Sequence, residues 1–151
     1  MLQMTSMGEH AGRRLMWHGV FLFLLGLLAG FVEQKFSNPR MGLAAHLEGL
    51  MNGTFVLAVG GAWTAVRLPQ RSIRLMFWTL LYGSYINLLV TALAATFGTA
   101  AMTPLTGATR PALGWQETLV TVGFISVGIS MLVASALLLW GLSGSMTSTS
   151  S

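Results

Sequence analysis

Apolar residues run through this chain in long blocks, without the two-fold alternation or narrow stripes of elements that keep one face in water. Taking charged residues and prolines as breaks leaves four blocks, 15–32, 43–66, 75–97 and 118–142, each of 18 residues or more. At about 1.5 Å of rise per residue, a helix of that length crosses the roughly 30 Å of bilayer hydrocarbon. The connections are 33–42, 67–74 and the longer 98–117, where Pro104 and Pro111 forbid a continuous helix. The pattern predicts an all-α integral membrane protein: a four-transmembrane-helix bundle forming one domain over 15–142, after a short segment 1–14. The Ser/Thr-rich tail 143–151 has neither charge nor periodicity and is expected to be disordered. No fixed-period repeat is visible, and the halves do not read as inverted copies, which argues against a dual-repeat transporter.

Composition agrees. Of 151 residues, 54% are hydrophobic and 8% charged, against about a quarter charged in a soluble domain, so a soluble monomer is excluded. The net charge of +4 does not imply nucleic acid, because eight scattered basic residues make no continuous phosphate-binding stripe. They act instead as topology determinants. Arg13, Arg14, Arg67, Arg71 and Arg74 fall on one side, and Lys35, Arg40 and Arg110 on the other, partly offset by Glu33 and Glu117. The positive-inside rule then places both termini in the cytoplasm. The first block is read as a retained helix and not a signal peptide, since it is long enough to span.

The inventory of reactive groups is short. Cysteine is absent, which removes disulfides, thiolate nucleophiles, iron–sulfur clusters and cysteine-bound zinc. Aspartate is absent too, so a Ser-His-Asp triad is impossible. There is no GxGxxG, P-loop, GxSxG or HExxH. An enzyme built from this chain would draw its reactive power from a cofactor.

Polar residues inside the blocks are therefore conspicuous. The second block holds His46, Glu48 and Asn52; Glu48 and Asn52 share a helix face, while His46 lies on another. A helix polar on two sides is either central in its bundle or at a subunit interface. His46 reads as a metal or haem ligand, a proton carrier, or a histidine near the membrane surface. Glu48 is either a buried acid or one reaching headgroup water, and Asn52 is either a site residue or interhelical glue. The third block holds Tyr82, Ser84, Tyr85, Asn87 and Thr91; Ser84, Asn87 and Thr91 form one stripe facing the bundle interior. Tyr82 and Tyr85 read equally as packing aromatics. His18, beside Arg13 and Arg14, reads as a histidine at headgroup level, and Gly123, Ser126, Gly128, Ser130 and Ala134 as a small-residue stripe for close packing or oligomerisation.

Three stretches carry a family resemblance: Arg13-Arg14-Leu-Met-Trp-His18-Gly19; Gly42-Leu-Ala-Ala-His46-Leu-Glu48-Gly-Leu-Met-Asn52-Gly53; and Leu81-Tyr82-Gly83-Ser84-Tyr85-Ile86-Asn87. Through them the chain resembles the hydroxylaminobenzene mutases, small bacterial membrane enzymes, over nearly its whole length. It is more distantly similar to styrene oxide isomerase. That resemblance implies a homotrimer in the bacterial inner membrane with ferric haem b between subunits, His46 as the iron's axial ligand, and Asn52 and Asn87 in the site. Two further site positions of the isomerase's third helix fall on Gly83 and Thr91, so those roles do not carry over; Tyr82 or Tyr85 is the available substitute. The implied reaction is isomerisation of a small arylhydroxylamine, hydroxylaminobenzene, to 2-aminophenol, a step of nitroaromatic degradation, with the haem as Lewis acid.

Two rival readings stand beside it. A haem-binding electron carrier generally needs two histidines, and His18 and His46 are expected at opposite membrane faces. A small proton-coupled multidrug exporter would use Glu48 as its acid and carry no chromophore.

Overall fold

The computed structural model describes residues 2–104 and 112–143 and, over 2–9, only the backbone. Arg110, Pro111 and all but the first residue of the expected tail lie outside the described residues. Four α-helices follow one another: α1 (Leu2–Val32), α2 (Pro39–Gly61), α3 (Gln70–Phe97) and α4 (Gly114–Ser143). Each contains a stretch long and apolar enough to cross a membrane, and no strand occurs among the described residues. Short 3-10 turns, Glu33–Lys35 and Trp63–Ala65, connect α1 to α2 and follow α2.

The ends are set by local chemistry. Asn38 caps α2, its side chain accepting the Met41 amide at 3.3 Å, and Pro39 fills the first turn, where no amide hydrogen is needed. Gly98 ends α3 in a left-handed conformation, φ 72°, that favours glycine. Beyond it, the Glu117 carboxylate of α4 accepts the amides of Ala100 (2.8 Å) and Ala101 (3.0 Å), which ties the start of the long connection to the start of α4.

Helices adjacent in sequence pack side by side, α1 on α2, α2 on α3 and α3 on α4. The inner pair is the more buried: 39% of the apolar window of α2 and 44% of that of α3, against 22% for α1 and 17% for α4. α2, polar on two sides, belongs to this inner pair and has α1 on one flank and α3 on the other. The outward faces of α1 and α4 carry Phe31, Leu132 and Leu139, all strongly exposed. Such surface suits lipid, which solvates apolar side chains as well as a protein core does.

α1 and α2 approach so closely that backbone meets backbone. A Cβ on Gly12 would lie 2.9 Å from the Gly60 carbonyl oxygen, one on Gly19 2.8 Å from that of Gly53, and one on Gly26 2.7 Å from the Leu50 nitrogen. These glycines of α1 recur every seven residues, interleaved with Leu15 and Leu22, both fully buried. Gly42 and Gly49, then Gly53 and Gly60, repeat the spacing on α2. A seven-residue period holds one seam toward a partner helix, and glycine at the seam brings the axes together.

The α3–α4 seam differs from the stripe read on α4. Ser130 donates to the Thr79 carbonyl at 2.9 Å, a Cβ on Gly123 would meet Val90, and Ala134 is buried. Gly128 faces open space and takes no part. At the basic end, Arg14 lies over the Phe77 ring, 5.5 Å from its centre, and Phe77 meets Trp63 edge-on.

Replacing Gly26 or Gly49 by valine should force α1 off α2 and destabilise the fold by about 3 kcal/mol or more, the upper range of overpacking. Gly128→Ala, in open space, should be neutral or stabilising by up to about 1 kcal/mol. Thermal unfolding in detergent separates the two cases.

Candidate active site

The polar residues of α2 divide between its two neighbours. His46 turns toward α1, and its Nδ1 lies 2.8 Å from the Gly26 carbonyl oxygen. A carbonyl only accepts, so Nδ1 carries the hydrogen, and in the neutral ring the lone pair is then on Nε2. The contact is possible because α1 has glycine at the site: a Cβ on Gly30 would lie 2.7 Å from that same Nδ1. Gly26 and Gly30 form a GxxxG step in which one glycine exposes a carbonyl and the other makes room for the ring. Sequence reasoning missed both residues, although the GxxxG spacing inside an apolar block was the available signal.

Glu48 turns the other way, toward α3. Its Oε2 accepts the side-chain amide of Asn52, one turn along α2, at 3.3 Å, and that of Asn87 from α3 across the helix interface. Glu48, Asn52 and Asn87 therefore form a single cluster, in which Asn52 is almost fully buried. Nearby on α3, the Ser84 hydroxyl is fully buried without a hydrogen-bond partner, and Thr91 bonds back to the Asn87 carbonyl at 2.8 Å. The stripe of Ser84, Asn87 and Thr91 does face the interior.

The two tyrosines part company. Tyr85 is half-buried, and its hydroxyl lies 2.9 Å from Nδ1 of His18 on α1, within an aromatic group that includes Trp17 and Phe21. Tyr82 is 47% exposed and pairs at 3.0 Å with Ser126 of α4, away from the glutamate cluster. α1 begins well before residue 15 and runs through Arg13 and Arg14, and His18 lies on it facing Tyr85 of α3. His18 and His46 are well separated along the bundle, as expected of histidines that do not cooperate. His46 packs at the level of Gly26 to Gly30, about 12–18 Å along α1 from His18 at 1.5 Å per residue. Each histidine has its own partner, and they do not meet.

Among the described residues no group of three or more His, Asp or Glu is placed to hold a bare metal ion. A group that brings most of its own donors and asks one imidazole of the protein is a different case. His46, with Nδ1 tied to a carbonyl and Nε2 free to coordinate, has the tautomer and fixed ring plane such ligation needs. The donor set fits a haem.

These features define a polytopic helical membrane protein with a polar site inside its bundle. Residues 11–143 match the styrene oxide isomerase family, and the chain belongs to it. It is 44% identical to hydroxylaminobenzene mutase HabB of Ectopseudomonas oleovorans over 142 residues, 93% of this chain and 87% of that one. It is 37% identical to hydroxylaminobenzene mutase HabA of the same organism over 125 residues, 82% of this chain and 93% of that one. No solved structure matches significantly. The protein is an intramolecular isomerase of the mutase type.

A methyl group on Gly30 should push the His46 ring off the Gly26 carbonyl. Gly30→Ala is expected to lower isomerase turnover at least tenfold, as a 1 Å misplacement of a site group can cost about 10²-fold. Gly61→Ala, in open space on α2, should leave the rate unchanged; steady-state assays on matched amounts of folded protein make the comparison.

Proposed function

We propose that the protein converts hydroxylaminobenzene to 2-aminophenol, moving oxygen from nitrogen to the ortho ring carbon. The observation that carries this reading is the division of labour around α2, with His46 oriented by Gly26 on one side and an amide pair gathered by Glu48 on the other. The names of the two mutases support the substrate. Atoms balance without an external oxidant: the N–O bond breaks, a C–O bond forms at the ortho position, and the proton lost from that carbon is matched by one gained at nitrogen.

When bound, ferric haem b supplies a Lewis-acidic iron that polarises the N–O bond; Nε2 of His46 would hold it. The chain's own residues do the rest. Asn52 and Asn87 bind and orient the hydroxylamine group. Tyr85 is the better-placed proton donor, because His18 fixes its hydroxyl within the bundle, whereas Tyr82 is half exposed and bonded to Ser126. Apolar walls keep water from a ring that becomes positively charged as the N–O bond opens.

The homotrimer with haem at subunit interfaces belongs to the same proposal. It is supported by a shallow apolar groove along α2, lined by Leu50, Met51, Thr54, Phe55 and Ala58, that begins one turn beyond His46. A neighbouring copy can close that groove. Location in a bacterial inner membrane with both termini cytoplasmic completes the proposal, supported by the arginines gathered near the α2–α3 connection. An electron carrier is less well supported, because His18 and His46 do not converge.

The purified protein should show a Soret band and form 2-aminophenol. His46→Ala should lose both, and a retained band would remove His46 as ligand. Tyr85→Phe should lower kcat by about 10²-fold or more, the usual range for a general acid, while Tyr82→Phe stays close to wild type. Chromatographic product assay with parallel absorption spectra tests all three.

A further inference from the structure

The Glu48 cluster has a definite polarity. Nδ2 of Asn52 and Nδ2 of Asn87 both donate to the same oxygen, Oε2 of Glu48. An oxygen that accepts two N–H groups is a carboxylate oxygen or the carbonyl oxygen of the acid, and in either form it cannot donate in return. Neither asparagine can turn over without setting its own carbonyl oxygen against Oε2. In a planar amide the oxygen lies across the carbon from the NH2 group, so holding both NH2 groups on Glu48 turns both Oδ1 atoms away from it. One glutamate thus converts two ambivalent side chains, on two helices, into a pair of acceptors.

We propose that Glu48 is a positioning residue that locks Asn52 and Asn87 as acceptors, and that this pair selects substrates bearing donor hydrogens on adjacent heteroatoms. This deepens the arylhydroxylamine reading and rests on it. The N–H and O–H of an arylhydroxylamine satisfy both acceptors. An aryl epoxide or an O-alkylated hydroxylamine cannot, and leaves an amide oxygen unpaired in a site with little water, which is where such a loss weighs most. Glu48 needs no contact with the substrate for this role, and it explains why an acid is kept near the middle of α2, where a lone charge is unfavourable.

The test uses the full-length protein in detergent or nanodiscs, with binding of three probes read by calorimetry: N-phenylhydroxylamine, its O-methyl derivative and its N-methyl derivative. Wild type should bind the parent about tenfold or more tightly than either methylated form, roughly one hydrogen bond in a poorly hydrated site. Glu48→Gln, whose amide offers a donor as well as an acceptor, permits one asparagine to invert and should bring the ratio to within about threefold. Asn87→Leu, which removes one acceptor, should do the same and serves if Glu48→Gln fails to fold. Equal binding of the three probes by wild type, or an unchanged ratio in a folded variant, overturns the proposal. Selective binding without 2-aminophenol formation would sink the reaction reading and leave this one standing. Turnover without selectivity would do the reverse.

Discussion

The close approach of α1 to α2 underlies the rest of the structure. Glycines at 12, 19 and 26 meet glycines at 49, 53 and 60 with no side chain between the backbones. In a bilayer, helix association gains little from the hydrophobic effect, so packing at short range and polar contacts carry it. The same proximity has a chemical consequence. Only with α1 this near can a backbone carbonyl, that of Gly26, reach the imidazole of His46 and settle which nitrogen holds the hydrogen. The seam that builds the fold also orients the His46 ring.

A second constraint acts between α2 and α3. Polar groups inside a membrane must find partners within the protein, and here one carboxylate oxygen satisfies two amides. His46 and Glu48, two residues apart, consequently serve opposite neighbours. α2 has to be central to reach both, and its burial relative to α1 and α4 agrees. The outer helices supply the other polar partners: α1 gives the Gly26 carbonyl to His46 and His18 to Tyr85, and α4 gives Ser126 to Tyr82 and Ser130 to the Thr79 carbonyl.

Much of this was legible from residue order. Long apolar blocks announce four membrane helices because the bilayer's thickness leaves few alternatives, and polar residues stand out in them for the same reason. The facing of His46 and Glu48 to different sides follows from helical periodicity alone. The pairing of His18 with Tyr85 was not legible, because it depends on how α1 is turned against α3. Gly128, in the small-residue stripe of α4, faces open space within the chain and takes no part in the α3–α4 seam.

Sequence by itself determined the class of the molecule, the number of spans and the set of polar side chains available inside them, since each depends on local hydropathy, chain length and helical period. Only the tertiary structure decided which of those side chains meet. That Asn87 shares an oxygen with Asn52, that Tyr85 and not Tyr82 is held by a histidine, and that two glycines shape the setting of His46 all depend on helix rotation and axial register. Those are set by the packing of one helix against the next, which no single apolar block encodes.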